Sequence, residues 1–341
     1  MGILLNCNAI LKAGVKIKRR GDRLTGFAKI LLISLAACLV MSISPPLAVV
    51  SGLVWGVTLL LGIFWTGRRQ LLIIFALNVL LLFGIAGDRV LFFLLIFGLP
   101  SLIMALQLGS QKGYYEVQAR GMLSVLLLVS LFLGTAYFAN QGKYISVTPQ
   151  EIEAQVDANL EMLDNSGMLR FYEQQGMSLD QLKSQVTAVY IWFFRHLPAW
   201  YYIQAMLAVF VTLRLGAYYG RTRGLPIPPR KPFAEEIMPW TVAWVVIAGL
   251  ILMLWGWEGA NVWYYVGSNL VVTSVPVAIY FGTATMVYLW RRMSSRARRW
   301  WSAIIILNLL LFTLPTIFFL GLLGLFDSLL DYRGLEPKKE G

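Results

Sequence analysis

Asp327 and Asp331 stand four residues apart in Phe326-Asp327-Ser328-Leu329-Leu330-Asp331-Tyr332-Arg333, at the end of a long apolar run. On a continuous helix that spacing puts both carboxylates on one face, with Arg333 close by. Such a pair could hold a divalent ion for pyrophosphate chemistry, but that chemistry draws on two acid-rich motifs and no second one is present. The acids are therefore read as an anchor at the membrane edge. The single histidine, His196, lies in Arg195-His196-Leu197-Pro198 between Trp192 and Trp200. One imidazole does not build a His-rich metal site, and the tryptophans place it among lipid headgroups. A phosphate-binding P-loop, a Gly-rich dinucleotide loop and a Gly-x-Ser-x-Gly elbow are all missing. No catalytic residue, metal or cofactor is expected, and the chain is read as a non-enzyme.

Uncharged polar groups inside apolar runs are a second source of chemistry, because an unpaired polar atom facing lipid is costly. Asn78, Gln107, Gln204, Asn269, Thr273, Ser274 and Asn308 fall in this class. Asn269, Thr273 and Ser274 gather with Gly267 and Pro276 and form the first candidate for a solute-facing wall, with Asn78 and Gln204 as further candidates. Gly52-x-x-x-Gly56 reads as a seam for close helix packing.

The elements that must position these groups are set by composition. With 58% apolar and 13% charged residues over 341, the chain exceeds what one water-soluble core can hide. Apolar runs of about 20 residues, each enough to cross roughly 30 Å of hydrocarbon, recur along it. They predict spans at 27–43, 47–65, 71–87, 90–108, 121–139, 199–219, 240–257 and 266–290, and a last stretch at 301–330. Pro315 leaves that stretch open between one kinked span and a hairpin. The first run begins too late for a cleaved signal peptide and is taken as a retained span. With the N-terminus inside, cytoplasmic segments hold nineteen Lys and Arg residues and outer loops five, as the positive-inside rule requires. The net charge of +12 follows from this topology, and no nucleic-acid partner is implied. Two cysteines, Cys7 and Cys38, are too few for a disulfide framework.

The expected fold is all-α: a polytopic transmembrane bundle of about eight to ten spans with a small helical exoplasmic cap. Its parts are a basic cytoplasmic tail (1–26), a first membrane half (27–139), an exoplasmic helical loop (140–198), a second membrane half (199–330) and a C-terminal tail (331–341). Within the loop, Thr148-Pro149-Gln150-Glu151 and Ser178-Leu179-Asp180-Gln181 are capping boxes that start helices, and Asn165-Ser166-Gly167 is a stop. Ile152, Val156, Leu160 and Leu163 form one apolar stripe; Leu182, Val186 and Val189 form another. Both stripes are expected to rest on the outer surface of the membrane domain. Asp88 and Glu258 fall at span ends and are expected to be wet.

The cytoplasmic segment from Arg221 to Trp240 reads RTRGLPIPPRKPFAEEIMPW, a basic, proline-rich linker with a proline opening the next span. This linker and the terminal Gly324-Leu325-Phe326-Asp327-x-x-x-Asp331-Tyr332-Arg333 resemble the YybS-like family of bacterial polytopic membrane proteins of unknown function. The resemblance implies a multi-pass protein of the bacterial cytoplasmic membrane. It also implies kinship with the S components of energy-coupling-factor transporters and with the rod-shape protein MreD. Two functions follow as expectations. In the first, the protein is a solute-binding subunit served by a separate ATPase or coupling module. In the second, it is a non-catalytic scaffold for envelope-assembly proteins, docked through linker residues Arg221, Arg223, Pro229 and Phe233. The lipid bilayer is its partner in both.

Overall fold

In the computed structural model residues 20–139, 149–258 and 261–335 are described, and they form helices joined by short turns with no strand among them. The helices are α1 (Arg20–Ile43), α2 (Ala48–Thr66), α3 (Arg68–Ile85) and α4, which runs through Gly87–Gly109 with a π-wound centre at Leu94–Gly98. Then come α5 (Tyr114–Ala139), α6 (Pro149–Asn165), α7 (Met168–Gln174), α8 (Leu179–Arg195) and α9 (Leu197–Thr222). The last are α10 (Trp240–Trp255), α11 (Val262–Arg292), α12 (Ser295–Leu311) and α13 (Thr313–Leu330). Among the described residues eight helical segments are long and apolar enough to cross a membrane, and α10 is a shorter apolar helix. Thr148, most of the basic tail and residues 336–341 lie outside the described residues.

The chain divides into two compact units, one of residues up to Leu128 with Gln204–Arg230, the other of Val129–Ile203 with Lys231 onward. The first unit is packed through small residues. Gly52 lies against the Phe97 ring, Gly56 against Ser101 and Thr212, and Gly98 against the buried Trp55, which stacks on Phe75 at 6.2 Å. The Gly52-x-x-x-Gly56 seam is thus a packing seam, since any side chain there would hold the helices apart. Asn78 is paired locally: buried, it donates to Ser34 Oγ at 3.0 Å and to the Ile74 carbonyl at 2.8 Å. Gln107 accepts from Arg120 at 2.5 Å.

In the second unit the cap folds on itself. Ser178 accepts from the Gln181 amide at 3.3 Å while the Gln181 side chain accepts from the Ser178 amide at 3.1 Å, so the capping box starts α8 as its sequence predicts. Gly167, at φ 74°, ends the α6 turn. The expectation that both stripes rest on the membrane domain is corrected: Val156 and Leu160 of α6 pack against Leu182 of α8, with Ile152, Leu163 and Val186 around them. Two amphipathic helices with thirteen residues between them bury more apolar surface by facing each other than by lying flat on a wet membrane surface. Val189 is left out of that core and is exposed. Lys183 bridges to Asp157 at 2.7 Å, and this hydrogen bond holds its ammonium above the ordinary lysine range. Its help to the cap is present at neutral pH and is lost only in strong base.

The last apolar stretch is a hairpin. Pro315 has no N–H for the Leu311 carbonyl, so the helix breaks at Phe312 and restarts with the proline in its first turn, where no donor is needed. Arg298 at the start of α12 donates to the Arg291 and Met293 carbonyls, and the chain after α13 returns to Tyr288, so both arms meet the same end of α11. Asp88 and Glu258 are exposed, as expected. Gly282 of α11 and Gly324 of α13 touch backbone to backbone: a methyl on Gly282 would strike the Leu320 carbonyl and one on Gly324 the Ala278 carbonyl. Gly282→Val is expected to destabilise the protein by about 1–3 kcal/mol or more, read as a lowered thermal midpoint in detergent; an unchanged midpoint would contradict this contact.

Candidate functional site

The first polar constellation lies where α13 ends. Asp331 adopts φ 42°, a left-handed conformation that stops the helix, and its Oδ1 accepts from the Leu335 amide at 3.0 Å. Asp327 and Asp331 therefore do not form a pair on one face: Asp327 is the last acid inside the helix, and Asp331 is its cap. The turn swings Arg333 back over α13. Its Nε and Nη2 donate to Asp327 Oδ2 at 2.9 and 2.6 Å, while Nη1 and Nη2 donate to the carbonyls of Ala234 and Glu236 at 2.6 and 2.7 Å. Both side chains are buried, at 0% and 3% exposure. The Glu236 carboxylate accepts from the Tyr280 hydroxyl, and the Phe233 ring meets Tyr280 edge-on at 5.2 Å. The group ties the chain end to the linker before α10. It is a clamp; no cluster of three His, Cys, Asp or Glu side chains that could hold a metal ion occurs among the described residues.

The other linker residues are also occupied. Arg221 donates to the Pro228 carbonyl at 2.8 Å, Arg223 lies over the Tyr219 ring at 5.1 Å, and Ile227 fits against Gly220. Pro229 is exposed.

The second constellation is a cavity of about 700 Å³ at the other end of α11. From α8 it takes Ala188, Ile191, Trp192 and Arg195, whose spacing of three, one and three residues is one helical face. From α11 it takes Tyr264, Tyr265, Ser268, Val271 and Val272, again one face; Met253 of α10 and Trp257 in the turn after it complete the wall. Asn261 starts α11 there by accepting from the amides of Trp263 and Tyr264.

His196 is buried beside this cavity at 5% exposure, stacked on Trp192 at 4.6 Å. Its Nδ1 is 2.7 Å from the Trp192 carbonyl and its Nε2 3.1 Å from Ser268 Oγ. A carbonyl only accepts, so Nδ1 carries a proton and donates to it, while Ser268 Oγ lies within hydrogen-bond reach of both Nε2 and the Tyr265 carbonyl, each at 3.1 Å. Asn269 does not line the cavity. Its Nδ2 donates to the carbonyls of Arg195 and Tyr265 at 3.0 and 2.8 Å, and its Oδ1 accepts from the Ala199 amide at 3.0 Å. This one side chain staples the α8–α9 turn to α11.

The remaining sequence candidates are scattered. Ser274 donates to the Leu270 carbonyl at 2.8 Å, Thr273 is half-buried, Gln204 is exposed, and Asn78 lies in the first unit. Sequence reasoning missed Glu236, Tyr280, Tyr264 and Tyr265 and counted Arg195 only as a loop charge. The three-and-four spacing of Ala188, Ile191, Trp192 and Arg195 was the available signal.

Residues 31–328 match the model of the family described as predicted membrane protein (DUF2232). The chain belongs to this family. The match runs from within α1 to Ser328 and takes in the cap, the linker, the cavity residues and Asp327. No curated protein and no solved structure matches. For this DUF2232 protein, Arg333→Met is expected to cost about 3–5 kcal/mol by stranding the Asp327 charge. The double variant Arg333→Met, Asp327→Leu should recover most of that loss in a thermal unfolding comparison. A single variant as stable as the parent would show that the clamp holds nothing.

Proposed function

We propose that this DUF2232 protein is a non-catalytic solute-binding membrane protein, comparable in role to the S component of an energy-coupling transporter, and that its ligand occupies the cavity between α8, α10 and α11. The observation that carries the proposal is the cavity itself. Its volume of about 700 Å³ falls within the roughly 300–1,000 Å³ typical of small-molecule sites. Aromatic and aliphatic walls with a few polar groups, Arg195, His196 and Ser268, are the usual composition of such a site. The Asn269 staple and the cap's own core hold α8 in place, so the site is preformed and little ordering opposes binding.

In this reading the protein sits in the bacterial cytoplasmic membrane with its N-terminus, linker and clamp inside and the cap and cavity outside. Energy for any transport comes from a separate ATPase or coupling module. The scaffold reading of YybS-like and MreD-like proteins draws less support, because Arg221, Arg223 and Phe233 already serve contacts within the chain.

The test is purification in mild detergent, followed by mass spectrometry of every small molecule and protein retained. The wild type is expected to carry a small molecule that Ile191→Trp, which fills the cavity, loses while its thermal midpoint stays within a few degrees. An empty wild type, or equal retention by the filled variant, would overturn the proposal.

A further inference from the structure

Resting on that cavity as the binding site, we infer that its ligand is a membrane-borne amphiphile with an anionic phosphate headgroup, seated against Arg195 with its apolar part along α10 and α11. Three observations converge on this.

The first is charge. Among the described residues Arg195 is the one Arg, Lys, Asp or Glu on the cavity wall. The guanidinium lies over the Tyr265 ring at 4.9 Å, which leaves its N–H groups around the rim of the stack to donate outward. Among the described residues it forms no ion pair and its side chain makes no hydrogen bond. The hydroxyls of Tyr264 and Tyr265, on the same wall, likewise have no hydrogen-bond partner there. A cation and two hydroxyl donors with no acid between them favour an anion with several acceptor oxygens.

The second is depth. Trp192 and Trp257 line the cavity, and Trp255 and Trp263, stacked on each other at 6.0 Å, flank Trp257 and Tyr264 in sequence; each of the four is about half exposed or more, from 47% for Trp192 to 72% for Trp255. Such a belt of amphipathic rings marks the level of lipid headgroups. A headgroup at that level meets Arg195 without leaving the interface.

The third is the division of the wall. Met253, Val271 and Val272 continue the cavity along α10 and α11 as apolar surface, next to exposed Leu254 and Ile251 on α10. A soluble anion has nothing to place there. An acyl or isoprenoid chain does.

The experiment uses the full chain in nanodiscs of zwitterionic phosphatidylcholine, with tryptophan fluorescence as the readout and empty discs as the blank. The probes are dioctanoyl phosphatidic acid, the neutral dioctanoylglycerol and the soluble glycerol 3-phosphate. Saturable binding of the first alone is expected, weakened about ten- to a hundredfold in Arg195→Gln, as loss of a charge-assisted hydrogen bond implies. Tyr265→Phe, which keeps the ring under Arg195, should weaken it less. Equal binding of glycerol 3-phosphate would overturn the membrane source. Equal binding of dioctanoylglycerol, or no change in Arg195→Gln, would overturn the anionic headgroup while leaving a ligand cavity in place. No saturable binding of any probe, from a preparation that still releases a small molecule which Ile191→Trp loses, would overturn the ligand class alone. No probe bound and nothing released would overturn the cavity as a binding site as well.

Discussion

Arg333 takes a permanent positive charge and five donors into a place where its side chain has no exposed surface. A guanidinium there is tolerable only if its charge and its donors are met inside the protein. Asp327 meets the charge and takes two of the donors, and the Ala234 and Glu236 carbonyls take two more. Three stretches far apart in sequence are thereby brought together: the end of α13, the linker before α10, and Tyr288 on α11. The α12–α13 hairpin must turn at Phe312 for Arg333 to arrive at that end. The close glycine contact of α11 and α13 then follows, since the two helices can approach only where neither bears a side chain.

The opposite end of α11 is held by Asn269, His196 and Ser268. Asn269 donates to two carbonyls and accepts from one amide at the α8–α9 junction. His196 and Ser268 meet one turn away. These bonds fix the end of α8, and the mini-core of the cap stiffens the rest of that helix. A face carrying Ile191, Trp192 and Arg195 is thus presented to α11 without any ligand being needed to order it. The structural polar groups Asn269, His196 and Ser268 stand beside Arg195, Tyr264 and Tyr265, whose side chains make no hydrogen bond among the described residues.

Much of this was legible in the sequence. Spans are set by length and apolarity, so all the membrane helices lie where the hydropathy pattern puts them, and the Ser178 box starts its helix because cap chemistry is local. What the stripes of the cap would meet was not legible, because a period tells which face is apolar and not which surface covers it. Pro315 announced a break, but the choice of hairpin over kinked span rests on Arg333 finding the linker, a pairing of residues 99 and 97 apart that no local pattern carries. The same tether pulls Asp331 into its left-handed cap, which is why a spacing of four did not make a pair. On α11 the polar residues drew attention to Asn269 and Thr273, which do not line the cavity. The cavity face consists of tyrosines, valines and a serine that look like ordinary span residues.

The most direct test of the central claim, that the α8–α11 cavity holds a membrane-borne anionic amphiphile, is photo-crosslinking in the living cell. A benzophenone amino acid placed at Ile191 would be irradiated, and the adduct identified by mass spectrometry against a control at the exposed Ile33 of α1. The account predicts one dominant phosphate-bearing amphiphile at Ile191 that the control does not enrich. Adducts identical at the two positions, or adducts only with protein, would contradict it.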